Sequence, residues 1–279
     1  MAGLSSEKIY ESFASLADAA NGIEAKKIGD IAMGKTKAAK VIDAVYWAPY
    51  LAHATMEPMN ATADVRADSC EIWSGIQAQM VVQTAAAKIL GIAPSKVKVN
   101  TTLLGGGFGR RLGEYVKDAV MLSKAVGKPV KVVWTREDDM QNDFYRPAAY
   151  NKMSAGLDAA GKPIFWNHRI VSPSIMATLG PQLFGFAPPP TKLDDSATEG
   201  AHSLPYDMQN LYVDWVPATN GIQVGFWRSV GSSHTAFSTE CFLDELAHAA
   251  GKDPNWEFFA NPVLQPVPAL LFHILLRKH

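Results

Sequence analysis

Residues 97–116 read VKVNTTLLGGGFGRRLGEYV. The β-branched, partly alternating run at the start predicts a strand. From Arg110 to Pro129 the sequence RRLGEYVKDAVMLSKAVGKP predicts a helix, with Leu112, Val116, Ala119, Val120 and Ser123 on one face and Gly127 and Pro129 as the stop. Between them lies GGGFG, Gly105 to Gly109. Glycines let the backbone take positive φ and approach a ligand closely, and successive N–H groups then form an anion-binding nest. A helix beginning just after the loop adds its positive dipole end, and Arg110 and Arg111 add full charges. A phosphate or an anionic cofactor is the guest this predicts; the alternative is a tight glycine turn. It is not the dinucleotide pattern GxGxxG, because Arg110 or Leu112 occupies the place of the last glycine.

Working outward, residues 40–73 predict three short strands, and Ile76 to Leu90 a helix closed by Gly91 and Pro94. PVKVVWT predicts a short buried strand, and KMSAGLDAAGKPIFWNHRIVS a hairpin turning at Ala159 to Lys162. Ser172 to Ser203 is rich in Pro and Gly, with three prolines at 188–190, and reads as a long functional loop. LYVDWV, GFWRSVG and a helix from about Ala236 to Ala250 follow. Near the start, Ile9, Phe13, Leu16 and Ala20 recur at helical spacing behind Ser5 or Ser6. Strands and helices mix without strict βαβ alternation, which predicts an α+β fold.

The 279 residues are 48% hydrophobic and 19% charged, with a formal net charge of −1. That suits a globular chain with a full core and gives no electrostatic footprint for nucleic acid or anionic lipid. Cys70 and Cys241 form neither a disulfide framework nor a CxxC, so an iron–sulfur cluster would sit on another chain. No secretory signal is read in the first 20 residues, and LLFHILL is too short to span a membrane. The compartment stays open.

Several smaller signals are weighed beside the glycine loop. Gly29 to Thr36, GDIAMGKT, satisfies the P-loop expression, but the polar NGIEAKKI before it is not a buried strand and no long helix follows. His53 and Glu57 in HATMEP lie four apart; a buried hydrogen-bonded pair is preferred to a metal site because no third ligand is near. His202, His234 and His248 share no spacing and read as ordinary. Gln77 and Gln79 can present amides to a cofactor. Arg228, bounded by Gly225 and Gly231, suits an oxo-anion or a structural salt bridge.

Six segments in order, YLAHATMEPMNATADV, IWSGIQAQ, LLGGGFGRRL, VKVVWTREDDM, GFWRSVG and AFSTECFLDELAHAAGKDP, together resemble the molybdopterin-binding subunit of the xanthine dehydrogenase and aldehyde oxidase superfamily. HATMEPMN with GFWRSVG is most similar to the isoquinoline 1-oxidoreductase β-subunit group. The resemblance implies a molybdenum-cofactor-binding domain of that type, incomplete at both ends. It implies a molybdenum–molybdopterin cofactor, in the cytosine dinucleotide form of similar bacterial enzymes. The implied reaction is hydroxylation of an aldehyde or N-heteroaromatic with water as oxygen source, electrons leaving through an iron–sulfur small subunit.

Carried over residue by residue, Gly105, Gly106, Gly107, Phe108, Gly109 and Arg110 match the loop that packs on the cofactor. Gln77 matches a glutamine bonded to the metal's oxo group, and Arg228 an arginine of a second cofactor-contacting turn. No side chain is implied as a metal ligand. The catalytic glutamate of such subunits lies nearer their C-terminus, and Glu240, Asp244, Glu245 and Glu257 do not match it. The expected division is an N-terminal helical segment over 1–28, a molybdopterin-binding domain over 29–254, and a divergent, poorly packed tail over 255–279 suggestive of a frameshift near Asn255. The competing readings are a non-catalytic remnant or assembly module without cofactor, and a P-loop nucleotide hydrolase through Gly29 to Thr36.

Overall fold

The computed structural model describes residues 3–253 apart from Ala20, Phe184 and Pro190. The tail over 255–279 lies outside the described residues. Along the chain run α1 (Ser6–Ala19), β1 (Ile23–Ile28), α2 (Ile31–Lys37), β2 (Lys40–Ala48), β3 (Asn60–Val65) and β4 (Cys70–Ser74). Then come α3 (Gln79–Leu90), β5 (Val97–Thr101), α4 (Val116–Val126), β6 (Val130–Val133) and α5 (Arg136–Gln141). The hairpin β7 (Ala149–Leu157) and β8 (Pro163–Ser172) is followed by α6 (Ile175–Leu183), α7 (Asp195–Thr198), β9 (Leu211–Pro217) and α8 (Ser232–Ala249). The fold is α+β, with one five-stranded and one four-stranded sheet.

The larger sheet has the order β1-β9-β8-β7-β2, and its two faces follow from the period-two alternation of a strand. Met153, Trp166, Ile170, Val213 and Trp215 face one way, into a cluster with Phe242, Leu243 and Leu246 of α8. Tyr150, Val171 and Val216 face the other way, against Ile9, Phe13 and Ala17 of α1. The N-terminal helix is therefore a layer of the sheet, and β1 is one of its edge strands. Arg169 ties them together, pairing with Asp214 at 2.5 Å and donating to the Ala17 carbonyl at 3.0 Å.

β8 and β9 are parallel neighbours. Parallel neighbours cannot be joined by a tight turn and need a crossover. This accounts for the Pro-rich stretch expected to be one long loop: it is a crossover carrying α6, with Pro181 inside it, and α7. The smaller sheet, β5-β4-β3-β6, buries Ala61, Ala63, Ile72 and Val97 against Val82 and Ala86 of α3 and Val116, Ala119 and Val120 of α4. PVKVVWT, expected as a buried strand, is not one. β6 is a strand, but an edge strand rather than a buried one, and Val133 is 60% exposed.

Two histidines lie in the large core. His168 of β8 is fully buried, its Nε2 2.9 Å from Asn151 Oδ1, and burial with the neighbouring His234 pushes its pKa down to about 3. Burial, with Arg146 nearby, lowers His234 to about 4. Both depart downward from the ordinary 6.5. Above that value both are neutral folded or unfolded; below it the unfolded chain takes up protons that the fold refuses. Stability should therefore fall as pH drops through this window, by up to about 1.4 kcal/mol per pH unit for each ring. Urea denaturation across the window should show this slope, and His168→Gln should flatten it; an unchanged slope would refute the assignment.

Candidate functional site

The glycine loop leaves the end of β5, but the helix after it begins later than the sequence suggests. α4 starts at Val116, and Arg110 to Tyr115 are not helical. Gly113, at φ +104°, is one reason, because a Cβ there would lie 2.1 Å from Val82 Cγ2. The expected helix dipole thus does not abut the loop.

The two arginines are a second correction. Arg111 is wholly buried and donates to backbone carbonyls: Nε to Gly106 at 2.8 Å, Nη1 to Gly75 at 3.3 Å, Nη2 to Glu57 at 2.5 Å and to Pro58 at 3.4 Å. Arg110 is 2% exposed and lies among carboxylates. It pairs with Glu114, has Asp143 Oδ1 2.8 Å from Nε, and has Asp139 at 3.5 Å. Burial alone would lower the Arg110 pKa, but these acids outweigh it and raise it. Burial likewise raises Asp139. Neither guanidinium faces an incoming anion; both are internal ties.

What the loop does offer is backbone. Gly105 N–H donates to Glu57 Oε2 at 2.7 Å, and Gly109 N–H to Gln77 Oε1 at 3.2 Å. Between them, the N–H groups of Gly106, Gly107 and Phe108 have no acceptor among the described residues. Gly107 is buried, and a buried, unpaired N–H is rare enough to need a ligand or water. The loop leaves little room for side chains at its glycines. A Cβ would lie 2.6 Å from Glu57 Cβ at Gly105, 2.6 Å from Gln77 Oε1 at Gly107, and 1.9 Å from the Phe226 oxygen at Gly109. Phe108 takes φ +55° and is 45% exposed, an uncommon conformation for a bulky residue.

Gln77 sits just ahead of α3, outside the helix. Its Oε1 accepts from both Gly109 and Arg111 N–H, each at 3.2 Å, which fixes the amide's orientation. Its Nε2 has no acceptor among the described residues. Gln79 is the first residue of α3.

The turn at 225–231 meets the loop where Phe226 O touches Gly109. Ser229 and Val230 both take positive φ, at 68° and 47°, so GFWRSVG is a strained turn and not regular structure. Arg228 is exposed, with no hydrogen bond or ion pair among the described residues; the salt-bridge alternative is not found.

His53 and Glu57 do not pair with each other as expected. His53 bonds Asp143, while Glu57 holds Gly105 and Arg111. Burial would raise the Glu57 carboxyl, but Gly105 N–H, Asn60 and Arg111 outweigh it and hold it below its ordinary value. Sequence reading missed the role of Asp139 and Asp143. TREDDMQND gives a signal only for its capping box, Thr135 with Asp138, and nothing local points to a partner 90 residues away.

The P-loop reading also fails on geometry. NGIEAKKI contains the strand β1, but as an exposed antiparallel edge and not the buried strand a P-loop follows. Asp30 caps the short α2, its carboxylate accepting from Ala32 and Met33 where a phosphate would need to sit. Glu240 and Glu245 accept from Tyr206 and Tyr46 on the flank of α8. Glu257 lies outside the described residues. Among the described residues no group of three or more metal-ligating side chains occurs, and no helix is long and apolar enough to cross a membrane.

A family model described as a molybdopterin cofactor-binding domain matches residues 16–256. The chain belongs to that family. Isoquinoline 1-oxidoreductase subunit beta of Brevundimonas diminuta is 35% identical over 216 residues, covering 76% of this chain and 26% of the relative. The aldehyde oxidoreductase molybdenum-binding subunit of Escherichia coli K12 is 29% identical, over 82% of this chain and 30% of its own length. The molybdopterin domain also shares its fold with the aldehyde oxidoreductase of Desulfovibrio gigas, at a TM-score of 0.69 and 19% identity, covering 82% of this chain and 25% of that one. The chain thus spans about a quarter of the length of these relatives.

Two outcomes follow. Gly109→Ala should destabilise the molybdopterin domain by more than about 3 kcal/mol, since backbone must move, whereas Gly127→Ala, at φ +64° in open space, should cost about 1–2 kcal/mol. Chemical denaturation would refute the packing if the two were equal. Arg110→Met should cost about 3–5 kcal/mol because Asp139 and Asp143 are left buried and unpaired. An Arg110→Met chain as stable as the native one would refute the structural weight of this pairing.

Proposed function

We propose that this chain forms one part of the cofactor site of a molybdenum hydroxylase, and that the cofactor is held on the N–H groups of Gly106, Gly107 and Phe108. The three unpartnered donors carry this reading. They are successive, one is buried, and the contacts of Glu57, Gln77 and Phe226 hold the backbone that presents them. An anionic pterin cofactor fits donors of this kind without any side-chain ligand to the metal.

When bound, the cofactor supplies oxygen transfer from water to an electrophilic carbon and takes up the electron pair. The chain's own groups hold and orient it. Gly105 and Gly109 anchor the loop ends through Glu57 and Gln77. Gln77, its oxygen already accepting two N–H groups, has its Nε2 left as a donor for an oxo group. Phe108 offers an exposed ring that excludes water. Arg228 offers an unpaired charge beside the second turn. In this reading Arg110, paired with Glu114 and Asp143, supports the loop from beneath.

The substrate class is an aldehyde or N-heteroaromatic, and electrons leave through an iron–sulfur subunit. Likeness to relatives named for isoquinoline and aldehyde oxidation supports the substrate class, and their being subunits supports a partner chain. The cytosine dinucleotide form of the cofactor is part of the same proposal.

The chain purified from a host that makes the cofactor should carry stoichiometric molybdenum and fluorescent pterin. Gly107→Ala, which forces Gln77 away, should lose both while its circular dichroism is unchanged. A folded native chain with neither metal nor pterin would refute binding by this part of the site.

A further inference from the structure

His53 lies between β2 and β3 with its side chain 1% exposed, its ring centroid 4.6 Å from that of Trp227. Both ring nitrogens face acceptors. Nδ1 is 3.0 and 3.1 Å from the two oxygens of Asp143, and Nε2 is 2.9 Å from the Phe226 carbonyl oxygen. A carbonyl oxygen only accepts, and an ionised carboxylate only accepts. A neutral imidazole has one N–H, so it would satisfy one neighbour and set a lone pair against the other.

Protonating Asp143 instead would relieve the clash at Nδ1, but its surroundings oppose that. Oδ1 faces Arg110 Nε at 2.8 Å, and Oδ2 accepts the His53 backbone N–H at 2.6 Å. Each oxygen thus already faces a donor. The other charged groups around this knot are Asp139 and Arg136 of α5, Glu114 beyond Arg110, and Arg146 over the Trp227 ring at 6.0 Å.

We propose that His53 carries both ring protons and that this buried imidazolium is a positioning residue, tying the turn at Phe226 to the glycine loop. The atom it holds is the one that matters for the fit between the two segments. Phe226 O is where a Cβ on Gly109 would collide, so the two backbones meet there. With Nε2–H donating to that oxygen and Nδ1–H to Asp143, the second turn is fixed against the first. The spacing between them is then set before a cofactor arrives. The cofactor half of this inference rests on the function proposed above; the charge of His53 does not.

Nitrogen-15 NMR of the full chain with labelled histidine rings tests the charge directly. Near neutral pH, His53 should show two protonated ring nitrogens, and His168 and His234 one each. One protonated nitrogen on His53 overturns the proposal. The His53 signals are assigned by their loss in His53→Gln or, should that variant not fold, by their contacts to the Trp227 indole. In Asp143→Asn, His53 should drop to a single protonated nitrogen; retention of both would overturn the role of the carboxylate.

Positioning is read separately as molybdenum and pterin retained per folded chain. His53→Gln should retain the cofactor about 10–100-fold more weakly at unchanged circular dichroism, and undiminished retention would overturn the positioning role. A native chain that holds no pterin would defeat the function proposed above and leave the NMR result to decide the charge of His53.

Discussion

The guanidinium of Arg111 is the tie on which the rest of the site depends. Wholly buried, it reaches the carbonyls of Gly106, Gly75, Glu57 and Pro58 and the carboxylate of Glu57. Those groups belong to three separate stretches: the glycine loop, the end of β4 and the segment leading into β3. A lysine has no planar fork with which to serve so many acceptors at once. The Gly106 carbonyl points inward to Arg111, so the Gly107 N–H of the same peptide is left on the other side, while the Gly105 and Gly107 carbonyls accept from Glu57 and Arg110 N–H. The free donors of the loop are thus left by carbonyls that are turned inward, one to a buried cation and two to backbone N–H groups.

The same logic explains why positive side chains beside a glycine loop need not be ligands. Arg110 and Arg111 are drawn into the interior by Glu57, Glu114, Asp139 and Asp143. Desolvated charge is costly unless it is paired, and these acids supply the pairing. Arg228 differs in having no ion pair among the described residues, and its side chain stays at the surface. One constraint, the pairing of buried charge, sorts three arginines in neighbouring segments into two scaffold groups and one candidate ligand.

Strain gathers at the same place. Phe108, Ser229 and Val230 all adopt positive φ, and they lie on the two segments that meet at Gly109 and Phe226. Such conformations persist where surrounding contacts over-determine them. Here Gln77 and Glu57 fix the first turn. His53, Glu199 and the contact with Gly109 fix the second. The sheets matter to function mainly as the frame that sets these anchors. β4 and β5 are parallel neighbours, so their ends place Gly75 and the glycine loop side by side.

Local chemistry was legible in the sequence. The stretch 152–172 with its turn at Ala159 to Lys162 gave the hairpin, Gly91 and Gly127 gave the ends of α3 and α4, and GGGFG gave a backbone-lined turn. The six ordered segments gave the family. Each of these depends on residues close in the chain, where φ/ψ preference and side-chain period act directly. What only the tertiary structure decided were the pairings. Nothing in HATMEP says that His53 meets Asp143 while Glu57 turns instead to Gly105. Nothing in GGGFGRR says that both arginines point inward, or that the Pro-rich stretch is the crossover two parallel strands require. A buried charge is placed by whichever opposite charge the fold brings near it, and that proximity exists only once the sheets have formed.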